Sequence, residues 1–163
     1  MGFTGQILAS YRDPGGVMTR MLAAGQREDR ALAILMAAAL FLFVAQWPAA
    51  TRAAFFDPSV PLQGRLSGAL MGTLFLLPLF AYGLAGAAHL LSRLAGGRGT
   101  YYGARIALFW ALLCIGPLAL FQGLVAGLAG PGAALTATGV LVFLAFLWIW
   151  LSGLYVAEFG GVA

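Results

Sequence analysis

Lysine is absent from this chain, cysteine and histidine occur once each, and charged residues make up only 9% of its 163 positions. Soluble domains carry about a quarter of their residues as charges, so this chain is not built for water. With Cys114 alone there is no internal disulfide and no thiolate metal cage. With His89 as the single imidazole, and no clustered carboxylates beyond Glu28 and Asp29, a zinc or di-metal centre lacks ligands. No glycine loop carries the lysine and hydroxyl of a phosphate-binding P-loop: Gly96-Gly97-Arg98-Gly99 follows no strand and reads as a plain loop. The sequence therefore predicts no metal and no cofactor. The formal charge of +4 comes from nine arginines scattered along the chain, a distribution that argues against nucleic acid as a partner.

What the chain has instead is apolar length, with 62% of its residues hydrophobic. A helix rising 1.5 Å per residue needs about 20 apolar residues to cross a bilayer core. Four runs meet or approach that length: about 31–47, 66–91, 106–128 and 133–156. Their centres are free of charge, as expected when an ion at the bilayer midplane costs about 2.5–3.5 kcal/mol. The fold class is accordingly all-α, a polytopic transmembrane helical bundle of about four spans. Residues 31–163 form its membrane domain, preceded by a short amphipathic segment, residues 1–30.

That segment is polar and interrupted, and no cleavable signal is expected in it. Asp13-Pro14 has the form of an N-cap followed by a proline in the first helical turn. Val17, Met18, Met21 and Leu22 then recur at helical spacing, a pattern that fits either a helix lying on the membrane surface or one packed under the bundle. Pro48 marks the end of the first run. Gly130-Pro131-Gly132 marks the tightest turn, making the third and fourth runs an antiparallel hairpin.

Loop arginines set orientation. Arg12, Arg20, Arg27 and Arg30 precede the first span, and Arg93, Arg98 and Arg105 lie between the second and third. Only Arg52 and Arg65 fall on the other side. Both termini are thus expected in the cytoplasm, and the arginine-only, alanine- and glycine-rich composition fits the inner (cytoplasmic) membrane of a bacterium, crossed several times.

Helices in lipid approach closely where small residues stand four apart, which makes Gly68 and Gly72, Gly83 and Ala87, and Gly123 and Gly127 candidate packing faces. Pro78 and Pro117, in mid-span, are candidate kinks. Catalytic chemistry is hard to assemble. Ser67 lies about 33 Å from His89 along one helix, out of reach. Ser152, with Glu158 nearby, is a serine that the return of the fourth span can bring towards His89, and it lacks a nucleophile-elbow setting. No catalytic residue is expected.

The stretch His89 to Pro117, HLLSRLAGGRGTYYGARIALFWALLCIGP, resembles the bacterial branch of the Yip1 domain family. The likeness rests on a glycine-rich inner loop (Gly96, Gly97, Gly99), then Thr100 and Tyr101, then Arg105 opening the next span and Pro117 a dozen residues on. The proline-led entry at Pro14 and the order of spans are also similar. The chain departs from eukaryotic members in lacking an Asp-Leu-Tyr-Gly-Pro motif and a large N-terminal domain, and in having four expected spans where five are usual. The resemblance implies a polytopic, non-enzymatic membrane protein and does not carry a GTPase-binding role to this chain.

Three functions remain in view. In the first, the protein binds or organises lipids or membrane-protein partners, itself included, with Arg93, Arg98, Arg105 and His89 as candidate headgroup or partner contacts. A variant of this reading makes it an accessory subunit of a larger membrane complex. In the second, a small transporter or channel has its cavity at the Pro78 and Pro117 kinks, lined by Thr73, Tyr82 and Gln122. The third is a lipid-directed enzyme at His89 and Ser152.

Overall fold

A computed structural model describes residues 2–160, so Met1 and positions 161–163, which close the two expected segments, lie outside the described residues. Every regular element among the described residues is helical. Two short helices, α1 (Phe3–Arg12) and α2 (Pro14–Ala23), precede α3 (Glu28–Phe56). A helical run follows from α4 (Leu62–Met71) through a π-helical segment (Gly72–Leu76) into α5 (Leu77–Leu94). Then come α6 (Tyr101–Cys114), α7 (Gly116–Leu128) and α8 (Ala133–Phe159).

Helix α3, the continuous 62–94 run and α8 are each long and apolar enough to cross a membrane, with 29, 33 and 27 residues. The pair α6 and α7 passes the same test together, bent by 42° at its break. Its register against α3 shows what the bend does. Arg105 meets Glu28, Gly116 faces Phe41, Gly123 lies on Ala45 and Gly127 on Pro48, so the bent pair runs alongside α3 for most of its length in the same direction. It therefore covers the length of a full span and does not double back. This is an integral membrane protein with an all-α bundle. The bend falls where Gly116 and Pro117 open α7: proline has no N–H to give the preceding turn, and α6 ends at Cys114 with Ile115 as the cap shared by the two helices.

The first helix corrects the expected boundary, since Pro48 does not end it. α3 runs on to Phe56, which reduces the expected 48–65 loop to residues 57–61. Two things carry the helix past the proline: the strongly helix-forming run Ala49-Ala50-Thr51-Arg52-Ala53-Ala54, and the anchoring of Arg52 Nη1 to the carbonyls of Gly127 and Leu128, both at 3.3 Å. At the other proline, Pro78, the backbone widens into the π-helical segment just before it. Such a bulge is a common way to fit a break inside a span.

Helix α6 is the axle of the bundle. All of it but Tyr101, Arg105 and Leu112 is buried, with α3, α5 and α8 around it. The N-terminal helices join this core. α2 buries Pro14, Val17, Met18 and Met21, and Met18 reaches the surface of Gly153 on α8. α1 is tied in by two hydrogen bonds, from Trp110 Nε1 to Ser10 Oγ at 2.8 Å and from the Tyr11 hydroxyl to the carbonyl of Cys114. Of the two arrangements open for this segment, the structure has the packed one. Asp13 caps α2 as expected, its Oδ1 accepting from the Gly16 amide at 2.8 Å.

Of the small-residue pairs, Gly123 and Gly127 form a close helix contact. A Cβ on Gly123 would stand 1.9 Å from the Ala45 carbonyl oxygen, and one on Gly127 2.5 Å from Pro48. The other pairs are not used this way. A Cβ on Gly68, Gly72 or Gly83 would meet nothing within 4 Å, and Ala87 is exposed. Gly68 and Gly72 line an open groove between α3 and the 62–94 helix, and Gly83 and Ala87 line another where α5 faces α6 and α8.

Candidate functional site

Most of the polar side chains of the bundle collect at the end where α5, α8 and the start of α6 meet. Helix α5 closes at Ala95 with Gly96 at φ +90°, a left-handed conformation that suits glycine and turns the chain toward α8. The loop then lies flat on the end of α8, and the Arg98 amide donates to the Glu158 carbonyl at 2.8 Å. This contact requires Gly99, where a Cβ would sit 2.2 Å from the Ala157 carbonyl oxygen and 2.8 Å from Glu158 Oε2. Thr100 then caps α6, its Oγ1 accepting from the Gly103 amide at 3.1 Å.

Beneath the loop lies a buried acid. The Glu158 side chain is fully buried and its Oε1 is 2.6 Å from His89 Nδ1, which comes from α5. Oε2 has no hydrogen-bond partner. The Tyr101 ring stands edge-on to the imidazole with centroids 5.0 Å apart. The Arg105 guanidinium lies 5.7 Å from that ring and 5.8 Å from the ring of Tyr82. Arg105 is also paired with Glu28 across to α3, Nη2 to Oε1 at 2.6 Å. Further out, the exposed Arg27 and Asp29 pair at 2.8 Å.

The four residues expected at a headgroup or partner surface thus divide. His89 and Arg105 are engaged inside the protein, by Glu158 and by Glu28. Arg93 and Arg98 are exposed and form no ion pair among the described residues. Glu158, expected only near Ser152, is the residue that pairs with His89. Ser152, expected near His89, lines a groove with Arg12, Asp13 and Trp148 instead. Among the described residues no group of three metal-ligating side chains occurs. Cys114 is buried within α6.

The residues expected to line a transport cavity also divide. Thr73 and Gln122, joined by Gln46, face one groove of about 610 Å³ between α3, the 62–94 helix and α7. Tyr82 packs against Phe109 in the core, and neither Pro78 nor Pro117 borders the groove. Thr73 gives its hydroxyl proton to the Ala69 carbonyl at 2.7 Å, which leaves few polar groups turned outward.

Comparison of the chain with protein-family models, curated proteins and solved structures finds no match.

Proposed function

We propose that this chain is a multi-pass, non-enzymatic membrane protein of the Yip1 type that holds anionic lipid headgroups at its arginine-bearing end, with both termini on the cytoplasmic side of a bacterial inner membrane. One observation carries the reading. Each acid of that end other than Asp13 is matched internally: Glu28 by Arg105, Asp29 by Arg27 and Glu158 by His89. Asp13 caps its own helix. Arg12, Arg20, Arg93 and Arg98 are left exposed without a carboxylate, so this end presents uncompensated positive charge. The opposite end keeps its two arginines occupied, Arg65 on Asp57 and Arg52 on backbone carbonyls. A basic, membrane-proximal surface attracts anionic lipid with about 1 kcal/mol per arginine.

The test is native mass spectrometry from nanodiscs that hold both phosphatidylglycerol and phosphatidylcholine. Arg93→Glu with Arg98→Glu should reduce retained phosphatidylglycerol about tenfold or more, since two charges are reversed. Arg52→Glu, at the other end, should leave retention unchanged. Equal retention in all three proteins would end the headgroup reading. A stoichiometric protein that leaves with the double variant would point to an accessory subunit.

A second reading, transport, draws on the meeting of Thr73, Gln122 and Gln46 in one groove. Solute flux in proteoliposomes that disappears when Thr73→Val and Gln122→Leu are combined would favour it. Flux that persists in that variant would remove this groove as the route.

A further inference from the structure

We propose that the groove between the α1–α2 corner and α8 seats one phospholipid whose headgroup carries both a phosphate and a primary ammonium. The groove measures about 790 Å³, within the range of ligand-binding clefts. Its rim offers both signs of charge. Arg12 and Asp13 line it side by side and are exposed, yet they form no ion pair with each other or with any other described residue. Asp13 Oδ1 accepts from the Gly16 amide, which leaves Oδ2 as a second acceptor. Residue 16 has to be glycine for this, since a Cβ there would stand 2.0 Å from Oδ2. A guanidinium holds a phosphate through paired N–H donors, and a carboxylate oxygen accepts from an ammonium. The carboxylate would repel a purely anionic headgroup and the guanidinium a purely cationic one, whereas a headgroup with both charges matches both residues.

Below the rim the wall suits an acyl chain. Gly15 lies against Val156 of α8, which fixes the level of the rim, and the groove runs from there to Leu144. Twelve residues of helix separate those two positions, a rise of about 18 Å and close to half of a bilayer core of about 30 Å. The groove is therefore about one leaflet deep. Ser152 and Tyr155 set hydroxyl groups just below the charged rim, and Leu144, Leu147 and Leu151 supply the deeper wall. Charge, then hydroxyl, then hydrocarbon is the order that a phospholipid presents from headgroup through ester to chain.

The same wall argues against another helix as the occupant. Helices in lipid approach one another through small residues, and this face of α8 presents Leu144, Trp148, Leu151 and Tyr155, each more than half exposed. Their bulk keeps a second backbone at a distance and leaves clefts that a flexible chain can fill. The site uses neither Arg93 nor Arg98, so it stands independently of the anionic-headgroup reading.

Native mass spectrometry from nanodiscs holding equal amounts of phosphatidylethanolamine and phosphatidylcholine, with identical acyl chains, tests this. The two lipids differ only at the nitrogen, which bears N–H donors in the first and methyl groups in the second. The unaltered protein should retain a single phosphatidylethanolamine with about tenfold preference, the worth of one charge-assisted hydrogen bond. Asp13→Asn keeps the helix cap while removing the charge, and should abolish that preference. Arg12→Gln should lower retention of both lipids. Leu147→Trp, which fills the groove without touching a charge, should release the lipid as well. Arg93→Glu with Arg98→Glu should leave it bound, and its loss there would move the lipid to the loop arginines and overturn the groove as its site. Retention in the proportion supplied overturns the site too, as does a preference undiminished in Asp13→Asn. A dimer that dissociates in Leu147→Trp would overturn it by seating a second copy of the chain in the groove.

Discussion

The two ends of the bundle are built by different means. At the arginine-bearing end, α6 is buried on nearly every side, α1 and α2 are hydrogen-bonded or packed into it, and a glycine loop seals an acid beneath backbone. At the other end, α4 and the π-helical segment bury no residue at all, and the space between them and α3 is an open groove. The first end can hold a specific polar arrangement because packing fixes every partner. The second is finished by whatever surrounds it, lipid or another helix, and Gly68 and Gly72 there mark open space.

The sharpest test of that open space is to add one methyl group in the groove and one at the interlocked contact of α3 with α7 in the same half of the bundle. Gly123→Ala puts a carbon against the Ala45 carbonyl, a backbone atom that moves only if α3 and α7 separate. The expected cost is about 3 kcal/mol, at the upper end for overpacking, read as an earlier thermal unfolding transition in detergent. Gly68→Ala meets nothing within 4 Å and should be neutral or stabilising by about 0.5–1 kcal/mol, the gain from a less flexible unfolded chain. If both variants lost stability equally, the distinction between an interlocked and an open small-residue face would be false.

That pair also shows what could be read from the sequence. Four-residue spacing of small residues is the same signal at Gly68 and Gly72 as at Gly123 and Gly127, and nothing in either segment says which pair faces a helix. Charge and apolar length were more informative: they led directly to an all-α membrane bundle, to the Asp13 cap and to the turn at residues 130–132. Pro48 misled, because local chemistry says stop, whereas the contacts that carry the helix past it, on Gly127 and through Arg52, come from residues some 75 positions away. The surroundings of His89 were read in outline only, with Ser152 brought to it and Glu158 nearby, whereas Glu158 is the residue that meets it. A histidine near the end of an apolar run suggests an interface, and only the antiparallel return of α8 brings Glu158 to it, with |i−j| of 69.

A smaller effect is expected where α1 joins the well-packed end. Burial pushes the Tyr11 phenol up to about 12, and its hydroxyl serves the Cys114 carbonyl. Tyr11→Phe removes one hydrogen bond and Ser10→Ala removes two, the one from Trp110 and its own to the Gln6 carbonyl, without opening a large cavity, at about 1 kcal/mol per bond. Because the bonds to Trp110 and Cys114 fasten the same short helix, the double variant should free α1 rather than unfold the bundle. Amide exchange should rise along residues 4–12 while α3 and α6 stay protected. Uniform loss across the bundle would instead make α1 part of the central cooperative unit.

The smallest expected effect lies at the loose end, in the short 57–61 connection. Asp57 accepts from the Ser59 hydroxyl at 2.5 Å and from the Ser59 amide at 3.1 Å, and pairs with Arg65 at 3.0 Å. The Ser59 contacts first, then Arg65, hold its carboxyl below the ordinary carboxylate range. A carboxyl depressed in the folded state stabilises above its unfolded value, and that contribution disappears as pH falls through the lower folded value. Asp57→Asn should therefore lower the unfolding temperature slightly at neutral pH and make no difference once the medium is acid enough to protonate the native carboxyl. The group is fully exposed, so water and salt screen it, and raising ionic strength should shrink even the neutral-pH difference. A difference that persisted unchanged in acid would mean that the asparagine perturbs the turn by its shape, and that this end of the protein is more tightly built than its open grooves imply.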